Sequence, residues 1–218
     1  MGSYLRTMTD ASITAEKLLQ VKAVRLNPDK PFTWAGGWKS PIYCDNRKIL
    51  SHPFIRDYFK SELCNVVFDK FSNADVIAGV ATAGVPWGTM VADQLKLPFI
   101  YVRPSPKDHG LGNQIEGEFV ADQKVVVVED LISTGKSSLQ VINVLKNNGL
   151  QVIGAVSIFN YRFNVASEAF TAAGVELYSL TDYLVLIDLA TKNGFVRQDQ
   201  QEILLKWRED PSSWTGVD

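Results

Sequence analysis

Four consecutive valines at residues 125–128 constrain the fold of this 218-residue chain more than any other feature of its sequence. Four β-branched residues in a row favour a strand that is buried on both faces. Glu129 and Asp130 follow the run, and a glycine turn rich in hydroxyl groups then leads into a helical pattern at residues 136–148. The segment therefore predicts a strand, a turn and a helix in succession.

The same alternation of strand and helix patterns extends over most of the chain from residue 74 onward. Short apolar runs occur at residues 76–80, 99–102, 124–130, 152–159 and 176–180, and they alternate with helical patterns at 85–96, 136–148 and 165–173. Such alternation predicts an α/β fold, an open and mainly parallel twisted sheet with helices on both faces. The length and the 46% hydrophobic content predict one compact domain with at most a small appended lobe.

Three further segments do not belong to this alternation of strands and helices. Residues 13–27 repeat apolar side chains at helical spacing and predict an amphipathic helix. Residues 28–50 contain prolines, paired glycines and several aromatics, which predict a turn-rich segment. Residues 103–116 are rich in proline and glycine and predict a long loop with a functional role.

Composition argues against several classes of protein. A net charge of -2 without a broad cationic face argues against a nucleic-acid partner. Cys44 and Cys64 lack metal-ligand spacing, so neither zinc nor a disulfide framework is predicted, and Cys64 is expected in the core. No apolar run approaches the ~20 residues that cross a bilayer, and residues 1–10 lack the apolar core of a signal peptide. We expect a cytoplasmic protein without a membrane partner.

The turn after the valines has the chemistry of a phosphate site. N–H groups at a helix start bind phosphate, and the hydroxyls of Thr134, Ser137 and Ser138 add donors. Glu129 and Asp130 are suitable acceptors for ribose hydroxyls. An ATP- or GTP-binding loop is a competitor, but its first glycine would fall on an acid, residue 130. A second alternative is that the two acids only cap the helix.

Taken together, four segments resemble the type I phosphoribosyltransferases, and in particular their orotate branch. The strand, acid pair and turn resemble the ribose-phosphate signature of that family, and three other segments resemble its base-binding segment, its catalytic loop and its short pyrophosphate loop, at residues 32–47, 101–110 and 79–84. The resemblance covers about residues 15–162 and implies the fold of that family, one domain over residues 1–218 with a small N-terminal base-binding hood at about residues 1–50.

The resemblance also implies roles for individual residues. The acid pair and the turn after it are implied to bind the ribose and the 5′-phosphate. These residues are Glu129, Asp130, Leu131, Ile132, Ser133, Thr134, Gly135, Lys136 and Ser137. Arg103, Lys107 and His109, together with Asp130, become the catalytic residues. Arg162 becomes the cation that faces the orotate carboxylate, and the base is lined by Lys39, Tyr43 and Cys44. The implied donor is 5-phosphoribosyl 1-pyrophosphate, with Mg²⁺ carried mainly by that donor, and the implied assembly is a homodimer with shared active sites.

Three positions depart from the family pattern. Many relatives carry lysine where this chain has Ala35, Ala83 and Pro104, so the roles of those lysines do not transfer. Two rival functions stay open at this point. A purine phosphoribosyltransferase would not explain Arg162 or the aromatic N-terminal segment. A non-catalytic sensor of the phosphoribosyl donor typically needs a nucleic-acid-binding module, and the first ~70 residues contain no basic recognition helix.

Overall fold

A computed structural model describes residues 8–34, 37–105 and 113–216 of the chain. The helices are α1 (Met8–Gln20), α2 (Pro53–Lys70), α3 (Gly84–Leu95), α4 (Lys136–Asn147), α5 (Asn164–Ala172), α6 (Tyr183–Lys192) and α7 (Gln198–Glu209), with a 3-10 helix at Asn46–Ser51. The strands are β1 (Val24–Leu26), β2 (Phe32–Thr33), β3 (Lys39–Ser40), β4 (Ile42–Cys44), β5 (Val76–Val80), β6 (Phe99–Val102), β7 (Ile115–Glu116), β8 (Lys124–Ile132), β9 (Gln151–Asn160) and β10 (Leu177–Asp182).

The chain divides into two compact units. The first spans Asp57–Leu180, and the second combines Arg6–Arg56 with Thr181–Asp218. The second unit thus combines the N-terminal segment, where the hood was predicted, with a C-terminal segment whose helices α6 and α7 were not predicted. Among the described residues, no helix is both long and apolar enough to span a membrane.

A six-stranded sheet organises the first unit, in the order β10-β9-β8-β5-β6-β7. The pairs β5/β6, β5/β8 and β8/β9 are parallel, whereas the short strand β7 runs antiparallel to β6. The prediction of an open, mainly parallel sheet is confirmed. Strand β8 continues to Ile132, two residues beyond its predicted end, because it stays paired with β9 as far as Asn160.

Both faces of the central strands are covered. All five residues of β5 and the four valines of β8 are buried, and successive side chains of a strand point to opposite faces. On one face, Val76 and Val127 belong to a core cluster with residues of α4 and α5. On the other face, β5 approaches α3 so closely that a Cβ on Gly79 would lie 3.0 Å from the Val85 Cα. Continuous apolar runs therefore form strands here, since neither face meets water.

The second unit contains α1, β1–β4, α6 and α7. Strand β1 pairs antiparallel with β4, and β2 pairs with β3. The predicted helix at residues 13–27 was wrong over its second half, where α1 ends at Gln20 and a strand begins at Val24. Lys22 adopts a left-handed backbone with φ of 53°, which stops the helix, and Val24 then buries its side chain from the strand.

Candidate active site

The carboxyl ends of the parallel strands in the first unit bring the predicted chemical segments to one edge of the sheet. Gly79 of β5 is in register with Val128 of β8, and Val80 is in register with Val102 of β6. The short loop, Arg103 and the acid pair directly follow these residues. In open α/β sheets this edge is where ligands bind.

Glu129 is buried and is held at both carboxyl oxygens. The Asp130 N–H donates to Oε1 at 2.9 Å, and the Ser138 hydroxyl donates to Oε2 at 3.4 Å. Burial raises the pKa of Glu129 well above its ordinary value of 4.5, and the neighbouring Asp130 carboxyl raises it further. Asp130 itself is partly exposed. The pair therefore offers one sequestered carboxyl and one that solvent can reach.

A glycine turn connects the acid pair to α4. Gly135 has a φ of 76°, and a Cβ at this position would also lie 3.1 Å from the Phe170 ring. Both constraints favour glycine. Helix α4 begins at Lys136, and the Leu139 N–H is bonded to the Gly135 carbonyl at 2.9 Å. N–H groups of a first helical turn have no partner within their own helix, which makes the turn a suitable phosphate site.

The side chains along this segment divide into accessible and buried ones. Several are exposed or partly exposed, Leu131, Ser133, Thr134, Lys136 and Ser137. Ile132 is only 1% exposed and belongs to the hydrophobic core, so its side chain is not available to a substrate. The expectation for Ser138 was wrong, because its hydroxyl is buried against Glu129 and does not line the open turn.

The short loop after β5 packs against the start of the acid pair. A Cβ on Gly84 would overlap the Val128 carbonyl oxygen and would lie 3.3 Å from the Glu129 Cα. Glycine therefore allows α3 to begin directly beside the acids. Ala83, where many relatives carry lysine, precedes α3 and brings no charge to this loop.

Arg103 lies at the start of the predicted catalytic loop. Its N–H donates to the Gln114 carbonyl at 2.9 Å, and the Gln114 amide donates back to the Arg103 carbonyl at 2.7 Å. Its guanidinium is 3.8 Å from Glu116 of β7. The loop thus leaves and re-enters the sheet at adjacent strands. Lys107 and His109 lie outside the described residues.

Arg162 follows β9 at the same edge of the sheet. The Tyr161 N–H donates to the Ile132 carbonyl at 2.9 Å, which places Arg162 close to the turn after β8. Its backbone is left-handed, with φ of 55°, and its N–H donates to the Asn160 side chain at 2.7 Å. The neighbours Tyr161 and Phe163 are buried and stacked at 5.3 Å, whereas Arg162 is exposed.

The predicted base-binding residues lie in the second unit. Lys39 is exposed, and its ammonium donates to the Thr33 hydroxyl at 3.0 Å across the β2/β3 pair. Tyr43 is partly buried beneath the Arg25 guanidinium, which is 5.1 Å from its ring centroid. The Cys44 thiol is 3.3 Å from the Asn46 side-chain oxygen. Ala35 lies outside the described residues.

Comparisons with known proteins identify the family. The phosphoribosyl transferase domain matches residues 52–169 of this chain. The orotate phosphoribosyltransferase of Phocaeicola vulgatus is 53% identical over 200 residues, which cover 92% of this chain and 94% of that protein. This chain belongs to the orotate phosphoribosyltransferase family. The identity extends beyond residue 162, where the sequence resemblance ended.

Solved structures agree with this membership. An orotate phosphoribosyltransferase from Aeropyrum pernix has a TM-score of 0.72 and 32% identity, and the match covers 84% of this chain and 99% of that one. The UMP synthase of Leishmania donovani has a TM-score of 0.77 and 26% identity over 91% of this chain, which spans 42% of that longer chain. The predicted phosphoribosyltransferase fold is confirmed.

Sequence reasoning missed several residues that hold the orotate phosphoribosyltransferase segments in place. Glu116 approaches Arg103, Arg25 covers Tyr43, and Trp207 of α7 donates its indole N–H to the Lys39 carbonyl at 3.1 Å. Arg25 could have been noticed in the sequence, since it is a cation between the apolar residues Val24 and Leu26. Trp207 could not have been noticed in this way, because its partner is 168 residues away in the sequence.

Proposed function

We propose that this chain transfers the 5-phosphoribosyl group from 5-phosphoribosyl 1-pyrophosphate to N1 of orotate, forming orotidine 5′-phosphate and pyrophosphate in pyrimidine biosynthesis. The observation that carries the proposal is the arrangement of Glu129, Asp130 and the glycine turn at one edge of the sheet, in a chain of the orotate phosphoribosyltransferase family. That arrangement suits a ribose that carries a phosphate.

Within this reaction the acid pair binds the ribose. Asp130 is the carboxylate that solvent and ligand reach, and it stabilises the positive charge that develops at the anomeric carbon. Glu129, whose pKa is raised by burial, supports Asp130 through the bond between its carboxyl and the Asp130 N–H. The turn at residues 133–137 binds the 5′-phosphate through N–H and hydroxyl donors. The reaction needs no covalent nucleophile, because the two substrates are held together and oriented.

Charge on the departing pyrophosphate is neutralised by cations of the catalytic loop. Arg103, Lys107 and His109 are assigned this role. The short loop at residues 79–84 contacts the pyrophosphate through its backbone, since Ala83 offers no charge. Pro104 offers none either, so more of the task falls to Arg103 and Lys107.

Magnesium fits this site as a metal carried by the donor. The described residues contain no group of three or more His, Cys, Asp or Glu side chains that could hold a metal ion. Mg²⁺ usually binds substrate phosphates with one or two carboxylates, and Asp130 is an accessible carboxylate at the turn. When bound, the ion would screen the charge of the pyrophosphate.

Recognition of orotate is assigned to two sets of residues. Arg162 is exposed beside the turn and pairs with the carboxylate that distinguishes orotate from other pyrimidine bases. Lys39, Tyr43 and Cys44 keep their predicted role as contacts of the base. We further propose that the chain works in the cytoplasm as a homodimer whose catalytic loop serves the partner's site.

One absorbance assay tests the activity. Orotate should be consumed only when 5-phosphoribosyl 1-pyrophosphate and Mg²⁺ are both present, and added pyrophosphate should reverse the reaction. Adenine, guanine, hypoxanthine and uracil serve as competing bases, and none should replace orotate. Consumption of a purine in preference to orotate would reject the proposal in favour of a purine phosphoribosyltransferase.

A further inference from the structure

Two indole rings donate hydrogen bonds to the backbone of residues 39–44, named here the base segment. The Trp34 N–H donates to the Ile42 carbonyl at 3.2 Å, and the Trp207 N–H donates to the Lys39 carbonyl at 3.1 Å. Trp34 precedes the base segment by a few residues, whereas Trp207 belongs to the C-terminal helix α7. One end of the base segment therefore depends on a distant part of the chain.

The base segment has little support from sheet structure of its own. The β2/β3 pair contains two residues on each strand, and β4 contains three. Isolated two-stranded ribbons are marginally stable in water at best. Between β3 and β4 the chain passes Pro41, where the Ser40 hydroxyl donates to the Ile42 carbonyl at 2.8 Å. The short β1/β4 and β2/β3 pairs hold the backbone of the base segment over only a few residues, and the two indole bonds fix it further at the Lys39 and Ile42 carbonyls.

Trp207 is itself held rigidly. It is fully buried, and its ring contacts those of Trp34 and Tyr183, each with centroids 5.6 Å apart. The Tyr183 hydroxyl donates to the Leu204 carbonyl at 2.9 Å, which joins α6 to α7 one turn before Trp207. Gln200 of the same helix donates to Asp29 at 2.9 Å. The indole N–H is therefore presented from a helix that several contacts hold in place.

We infer that Trp207 is a positioning residue for the base. By fixing the Lys39 carbonyl, it sets the backbone from which Lys39 and Tyr43 present their side chains to orotate. The inference rests on the proposed function, because it assigns Trp207 to the orotate contacts of that reaction. The phosphoribosyl donor is held by residues of the other unit, so Trp207 acts on one substrate only.

The Trp207→Phe variant tests this inference. Phenylalanine keeps an aromatic ring in the core but removes the indole N–H. We expect the KM for orotate to rise about 3- to 10-fold, the change for loss of one hydrogen bond, while the KM for the donor stays within about 2-fold. The matched control is Trp87→Phe, since Trp87 is equally buried and its indole nitrogen has no hydrogen-bond partner. The control should leave the ratio of the two KM values unchanged.

A general loss of packing would give a different result. Equal increases in both KM values, or an unchanged KM for orotate in a variant with a lowered Tm, would overturn the positioning role. If Trp207→Phe does not fold, Tyr183→Phe replaces it, because this change removes the hydroxyl that donates to the Leu204 carbonyl of α7. It should raise the KM for orotate alone by a smaller factor, and no selective rise would again reject the inference. Failure of the proposed function is distinct, since the unmodified chain would then not consume orotate at all.

Discussion

The Ser138 hydroxyl lies 3.4 Å from Oε2 of Glu129, and both side chains are buried. The hydroxyl that the sequence suggested for phosphate binding instead orients the buried carboxyl of the acid pair. Burial raises the pKa of that carboxyl, so the folded protein retains its proton at higher pH than the unfolded chain does. Glu129 therefore makes its full contribution to the stability of the fold below about pH 4.5. This contribution is lost as the pH rises through the pKa that Glu129 has in the folded protein.

Replacement of the Glu129 carboxyl by an amide should remove the part of the pH dependence of stability that this carboxyl causes. Glu129→Gln keeps the shape but cannot ionise, so its stability relative to the unmodified chain should increase from pH 4.5 upward. Urea unfolding followed by tryptophan fluorescence at several pH values measures the difference. Glu118→Gln, at an exposed position, is the control and should run parallel to the unmodified chain. Parallel curves for Glu129→Gln as well would contradict a raised pKa.

The Asp130→Asn variant should remain folded but should have a much lower kcat than the unmodified chain. The change removes one negative charge from the ribose site and keeps the shape, so kcat should fall about 10- to 1000-fold. Asp122→Asn is the matched control, because Asp122 is exposed just before β8, at the opposite end of that strand. Steady-state kinetics with a Tm measurement tests both. Full activity in folded Asp130→Asn would refute the role.

Arg162→Ala should weaken orotate binding far more than donor binding. Loss of a charge-assisted hydrogen bond predicts an increase in the KM for orotate of about 10- to 100-fold. Alanine also has a Cβ, so the left-handed backbone with φ of 55° is strained no more than before. Lys96→Ala is a close control, since Lys96 is a cation with φ of 57° at the end of α3. Equal effects on both substrates would reopen the purine alternative.

Gly84→Ala should be strongly destabilising. A Cβ at this position overlaps the Val128 carbonyl oxygen, and backbone in a central strand cannot move aside. We expect a loss of about 3 kcal/mol or more in the free energy of unfolding. Gly88→Ala on the same helix meets the Phe99 ring at 2.7 Å, and a side chain can shift, so its loss should be about 1 kcal/mol. Chemical denaturation of both variants should reproduce this order, and the reverse order would contradict the packing.

Mixed dimers test the shared active site. Lys107→Ala impairs the catalytic loop and Asp130→Asn impairs the ribose site, so each variant alone should have low activity. Unfolding and refolding an equal mixture makes half of the dimers mixed, and one site of each mixed dimer then carries neither defect. About a quarter of the unmodified activity should return. Activity that stays at the level of the separate variants, with exchange confirmed by a tagged chain, would reject a shared site and leave the chemistry unaffected.

The sequence was most informative where local pattern and burial agree. The strands Val76–Val80 and Phe99–Val102 were predicted at their observed bounds, because each is a short apolar run in a sheet covered on both faces. The prediction of a helix at residues 13–27 was wrong over its second half for a related reason. Ala23 continues the helical spacing and is buried, but it is buried at the entrance to a strand, and periodicity alone cannot distinguish the two.

In the candidate site, the sequence could predict which residues are close along the chain but not the contacts between distant ones. The acid pair and the glycine turn are contiguous, so their proximity followed from the chain itself. The partners Ser138 and Trp207 could not be assigned in this way. Ser138 lies nine positions after Glu129, and the direction in which a serine points at a helix start depends on the packing around it. Trp207 required knowledge of where the last helix docks, which depends on pairings across the whole chain.

The discontinuous second unit has a consequence during synthesis on the ribosome. Lys39 leaves the ribosome 168 residues before Trp207, which at about 5 to 20 residues per second is an interval of roughly 10 to 30 s. For that time the nascent chain carries Trp34 without Trp207 of α7, which packs against it in the folded protein. The residues of the six-stranded sheet are all made within this interval, so Trp34 is accessible to chaperones for longer than the sheet takes to be synthesised.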